Sequence, residues 1–110
     1  MSDIYSIEYS SEAVNDLKDI YSYIAFNLSV PNTARKQTTR ITKGIRTLNS
    51  MPARHPIVDF EPWNNMNVHK LYIDNFIIYY IIDNFSLTVS ILRIMYKGRD
   101  VHNIVNNLID

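Results

Sequence analysis

Arg93 is the one charged residue in the largely apolar stretch Leu87 to Met95, and Tyr96, Lys97 and Arg99 follow it within six residues. An unpaired guanidinium is costly to bury, so Arg93 must reach solvent, a carboxylate or a ligand phosphate. Tyr96 is either a packed aromatic or a proton donor. A second set lies earlier in the chain: Arg54 and His55 in a proline-rich loop, then His69 and Lys70 at the start of a strand. His55, between Arg54 and Pro56, reads as a structural loop histidine or as a general base. Cations with a phenol or an imidazole close by suit binding of a polyanion and movement of a proton.

What the chain lacks excludes other chemistry. It has no Cys, which rules out thiol catalysis, and His55, His69 and His102 match no metal-ligand spacing, so no zinc site is expected. Two glycines, Gly44 and Gly98, cannot build a phosphate-cradling loop. That removes the nucleotide-binding fingerprints, and no cofactor is expected. The longest apolar run, Phe76 to Ile82, has seven residues, far short of the roughly 20 that span a bilayer. Met1-Ser2-Asp3 has no signal-like flank. A cytoplasmic location without a membrane partner is the expectation.

The chain has 110 residues, with 11 Lys plus Arg against 11 Asp plus Glu, and reads as one domain over residues 1–110. Neutrality conceals a block structure. Residues 1–30 carry five acids and one Lys, residues 31–54 carry six basic groups and no acid, and residues 55–110 carry six acids and four basic groups. The basic middle is a solvated helix face or a surface for an anionic partner.

Periodicity supplies the elements that must position these residues. Ile4 to Tyr9 alternates as a short strand. Ser10 is a natural N-cap, and Val14, Leu17, Tyr21, Ile24 and Leu28 form one helical stripe. Pro31 suits the first turn of a second helix with Ala34, Thr38, Ile41, Ile45 and Leu48 on its inner stripe, ending near Ser50 and Pro52. Arg35, Lys36, Arg40, Lys43 and Arg46 then make its outer side cationic. Met51 to Asn67 reads as loop, with Trp63 an anchor over the core edge or a base-stacking platform. Val68 to Ile73, Phe76 to Asp83 and Leu87 to Met95 form an antiparallel meander, its first turn at Asp74-Asn75.

The fold expected is α+β, ordered β-α-α-β-β-β, with a helix hairpin on a curved antiparallel sheet. Phe76 to Ile82 is apolar on both faces and needs a second covering layer. The tail Asp100 to Ile109, with Val101, Ile104, Val105 and Leu108 on one stripe, is the segment left to supply it as a short terminal helix. It packs at home or against another chain.

The ordered set of "SSEAVNDLKDIYSYIA" (Ser10 to Ala25), "LNSMPARHP" (Leu48 to Pro56), "EPW" (Glu61 to Trp63), "VHKLYIDNFIIYYIID" (Val68 to Asp83) and "LTVSILRIMYKGRD" (Leu87 to Asp100) resembles the RelE/ParE superfamily of type II toxin-antitoxin toxins, in the plasmid-stabilisation branch. The resemblance implies a compact toxin neutralised by an antitoxin that wraps it. RelE-like members cut mRNA in the ribosomal A site without a metal. ParE-like members share the fold, inhibit DNA gyrase and lack the nuclease residues. The basic second helix and an incompletely covered sheet invite an acidic, amphipathic antitoxin segment encoded next door.

On that resemblance the first expectation is a ribosome-dependent mRNA interferase, with Arg93, Tyr96, Lys97 and Arg99 catalytic and Arg54, His55, His69 and Lys70 holding the message. The alternative is a ParE-like gyrase inhibitor. Cleavage through the 2′-hydroxyl needs a base, a cation facing the phosphorus and an acid. Two features weigh against it: the neutral total charge and the few cations on the strands. Strict alternation puts Arg93 with Val89, Ile91, Met95 and Lys97, opposite Ser90, Leu92, Ile94 and Tyr96, unless a bulge or the strand end re-aims them. Arg93 and Arg99 could instead close ion pairs with Asp83, Asp100 or Glu61.

Overall fold

The computed structural model describes residues 3–99 together with Ile104 and Val105. Strand β1 (Ser6–Tyr9) leads into helix α1 (Ser11–Ser22), which widens into a π-helical turn over Tyr23–Asn27. Helix α2 (Pro31–Arg46) returns. After two short 3-10 turns and a long loop come β2 (His69–Ile73), β3 (Phe76–Asp83) and β4 (Thr88–Tyr96).

Local chemistry explains the boundaries. The Ser10 hydroxyl accepts the Ala13 amide at 3.0 Å, capping α1. Pro31 fills the first turn of α2, where its missing N–H is no loss. Ala34, Ile41 and Ile45 of α2, and Leu48 beyond it, are buried on the anticipated stripe. Gly44 lets α2 approach β2: a Cβ there would collide with the Ile73 side chain. Asp74, at φ 53°, makes the two-residue turn between β2 and β3.

The stripe of α1 differs from the one read in the sequence. Ala13 and Asp16 are buried, Leu17 and Ile20 are half-buried, and Val14 and Leu28 are exposed. The helix is rotated so that a carboxylate faces the sheet, and the reason lies in β4.

The sheet is mixed rather than wholly antiparallel. Its order is β1-β4-β3-β2, and β1 runs parallel to β4, with Tyr9 opposite Ile91 at the end of the ladder. Antiparallel pairing holds for β2 with β3 and for β3 with β4. Strand β3 lies inside the sheet and is buried on both faces, as its composition demanded. On one face Ile78, Tyr80, Val89, Ile91 and Ile94 pack against Ala13, Ile41 and Ile45 of the helices.

The other face carries Ile77, Tyr79 and Met95 beneath Val58, Trp63 and Val105. Among the described residues, this cover comes from Val58 and Trp63 of the long loop together with Val105, so the tail is not its only source. Trp63 lies 4.8 Å from the Tyr79 ring and 5.8 Å from Phe60, centroid to centroid. Of the anticipated tail helix, Ile104 and Val105 are helical and Val105 is buried; the remainder lies outside the described residues.

Candidate functional site at the free edge of β4

Strand β1 pairs with β4 only as far as Ile91. Beyond that point the edge of β4 needs other partners, because unpaired backbone groups are costly once buried. Helix α1 provides them. The Ser10 amide donates to Ile91 O at 2.9 Å, and the Ser10 hydroxyl donates to Leu92 O at 2.8 Å. Asp16 then accepts the Ile94 amide at 2.9 Å through Oδ2.

The same carboxylate holds Arg93. Nε donates to Asp16 Oδ2 at 2.8 Å and Nη2 donates to Oδ1 at 2.9 Å, a fork matched to both oxygens. The two side chains are only 14% and 9% exposed. The hydrogen bonds to Asp16 raise the Arg93 pKa further, against the burial that lowers it. The carboxylate on Arg93 is thus Asp16, not Asp83 or Glu61; Asp100 lies outside the described residues.

A bulge decides which way the neighbours face. Tyr79 is paired with Arg93 but Tyr80 with Ile91, so Leu92 is the extra residue on β4. Val89 and Ile91 consequently join Ile94 on the helix side, while Arg93 and Met95 take the opposite side. Strict alternation had grouped Arg93 with Val89 and Ile91, and the bulge corrects that. It lies upstream of Arg93, so Tyr96 still points away from Arg93, edge-on to Phe76 at 5.9 Å.

Tyr96 and Arg99 border an open groove of about 640 Å³ between α1 and the ends of β3 and β4, floored by Ile20, Ile24, Phe76 and Ile94. Asp16 and Asp19 also line it. Lys97 is exposed beyond the strand end, its amide bonded to Asn75 O at 2.9 Å. The four residues read as catalytic are thus divided between two sides of β4.

The second set separates too. Arg54 folds back on the end of α2, donating to Ser50 O at 2.6 Å, Met51 O at 3.0 Å and Thr47 O at 3.2 Å, the role of a C-terminal cap. His69 Nδ1 lies 2.6 Å from His55 O; because a carbonyl only accepts, this nitrogen carries the proton. The His69 ring stacks on Tyr80 at 5.3 Å. His55 Nε2 is buried without a hydrogen-bond partner among the described residues. Burial, then Arg54 and His69, hold the His55 pKa below its usual value.

Arg54 and His69 both line a shallow groove with Tyr5 and Asn84, beside His55. Lys70 does not join them: it pairs with Tyr79 on the other face, its Nζ 5.7 Å from the Tyr72 ring. Burial pushes the Tyr79 and Tyr80 hydroxyls up to about 12, so both stay protonated at neutral pH. Among the described residues, no three His, Asp or Glu side chains are grouped to hold a metal ion, and no helix is long and apolar enough to cross a membrane.

The residues the sequence reading missed are Asp16 and Ser10 as edge partners. The helix pattern gave no signal for Asp16, since it lies outside the stripe of Val14, Leu17 and Tyr21; only the rotation of α1, which buries Ala13 and Asp16, brings it to the strand. A family model described as the ParE toxin of the type II toxin-antitoxin system parDE matches residues 7–101. The chain belongs to the ParE toxin family.

Solved structures carry the same fold as this ParE-family toxin. The chromosomal ParDE toxin-antitoxin system from P. aeruginosa aligns with a TM-score of 0.69 at 22% identity, covering 84% of this chain and 96% of that one. The toxin-antitoxin complex RelBE2 from Mycobacterium tuberculosis gives 0.62 at 17%, covering 88% and 95%. An archaeal RelE-RelB complex from Pyrococcus horikoshii OT3 gives 0.59 at 14%, covering 87% and 98%. No curated protein sequence matches significantly.

Proposed function

We propose that this toxin arrests growth by binding DNA gyrase, without cutting RNA. The observation that supports this reading is the Arg93–Asp16 pair. Transition-state stabilisation requires a preorganised cation aimed at the developing charge. A guanidinium held in both directions by a buried carboxylate has little left to offer a phosphate. Tyr96 and Arg99, which could supply an acid and a cation, border the groove on the other side of the strand. Membership of the ParE family favours the same branch.

An antitoxin is the expected partner, as in the ParDE and RelBE complexes that share the fold. The groove floored by Ile20, Ile24 and Phe76, with exposed Tyr23 and Leu28 at its border, suits the apolar side of a segment that folds on binding.

Purified gyrase and translating ribosomes separate the readings. The toxin is expected to abolish supercoiling of relaxed plasmid or to trap gyrase-dependent DNA breaks, while toeprinting shows intact message. A-site cuts in the message together with unaltered supercoiling would overturn the proposal.

A further inference from the structure

Helix α2 presents an outer face that nothing in the fold explains. Asn32, Arg35, Lys36, Thr39, Arg40 and Lys43 line a shallow groove along it, and Arg46 follows three residues on. At 1.5 Å per residue the cations from Arg35 to Arg46 extend over about 17 Å. Residues 31–54 contain no acid. Among the described residues only Arg40 of this face has a carboxylate partner, Asp74 in the turn between β2 and β3, and its side chain is still 67% exposed. Arg35 donates to Asn32 Oδ1 at 3.3 Å. Lys36, Lys43 and Arg46 have no carboxylate partner among the described residues.

Helix stability does not call for this arrangement. The helix packs through Ala34, Ile41 and Ile45 on its opposite side. Its first turn holds no acid, although acids there would complement the helix dipole. Spacing of three and four along one face makes like charges neighbours, which costs stability in the absence of a counter-charge.

We propose that this face of α2 docks on the phosphate backbone of duplex DNA. An amphipathic acidic peptide would need apolar anchors, and beyond Pro31 the exposed side chains of α2 are only Asn, Thr, Arg and Lys. A phosphate backbone needs charge and hydrogen-bond donors alone, which are the groups present. The choice of duplex DNA over another polyanion rests on the gyrase reading, since that enzyme works on duplex. Excess acids in residues 1–30 and 55–110 together balance the basic stretch, so attraction is confined to one face and orients the molecule.

Fluorescence anisotropy of the full-length toxin with a labelled DNA duplex, in the absence of gyrase, tests the proposal. Binding is expected to weaken steeply between about 50 mM and about 200 mM salt, with a log–log slope of roughly −3. Lys36→Ala/Lys43→Ala, two exposed positions, should leave the circular dichroism unchanged and reduce that slope by about 2. Absence of binding at low salt, an unchanged slope in the double variant, or tighter binding of a poly-glutamate peptide or an RNA duplex would overturn it. Gyrase inhibition is assayed separately: a wild-type toxin that binds DNA but leaves supercoiling intact refutes the gyrase reading and not the docking surface.

Discussion

Asp16 and Arg93, 77 residues apart in sequence, are joined by two hydrogen bonds of 2.8 and 2.9 Å at the place where β1 stops pairing with β4. Because Asp16 Oδ2 also takes the Ile94 amide, one carboxylate serves as strand partner and counter-ion together. It couples the first helix to the last strand, and it converts the most reactive-looking cation of the chain into part of the framework.

Asp16→Ala should therefore destabilise the fold by roughly 3 to 5 kcal/mol, the usual cost of leaving a buried charge without its partner. Asp16→Asn retains an acceptor for the Ile94 amide and should lose less. Urea denaturation of the two variants checks the order. Equal, small losses would mean that Arg93 finds solvent easily once released.

Trp63→Ala should cost roughly 3 to 5 kcal/mol, because the indole is 5% exposed between Phe60 and Tyr79 and its loss opens a cavity in the second layer. Thermal unfolding measures this. A base-stacking platform would instead tolerate the change with stability nearly intact.

His55 makes stability depend on pH. Its folded pKa lies below the ordinary 6.5, burial being the main cause. The unfolded chain therefore takes up a proton first as pH falls, so the stability from this site is complete above about pH 6.5 and declines as pH drops through that value toward the folded pKa. Glu12 and Asp83 also have lowered pKa values, but as carboxylates they act at more acidic pH. Urea midpoints between pH 7.5 and 5.5 should fall, and His55→Asn should flatten the decline. An equally steep profile in the variant would assign the effect elsewhere.

The elements were legible because each one obeys a local rule: the Ser10 cap, the inner stripe of α2, the Asp74 turn, the doubly apolar β3. What was not legible depends on partners distant in sequence. Parallel pairing of β1 with β4 leaves no local trace, since Ser6 to Tyr9 alternates alike in either direction. The Leu92 bulge is invisible in a run where every residue from Ile91 to Met95 except Arg93 is apolar. The rotation of α1 follows from the β4 edge, which the helix sequence does not contain. Arg93 was rightly singled out as a guanidinium that needed a partner, and the choice of partner turned on Asp16, which the helix pattern alone had placed outside the core stripe. Trp63 belonged to a loop without periodicity, yet it carries much of the second layer.

If Arg93 is structural, toxicity survives its loss, and Asp16→Asn/Arg93→Gln is the variant that shows this. The double variant removes the charge pair together while keeping an acceptor for the Ile94 amide. Growth of cells expressing it, alongside circular dichroism of the purified protein, is the measurement. A folded variant that still arrests growth and still inhibits gyrase is the predicted result; a folded variant that has lost all toxicity would contradict it.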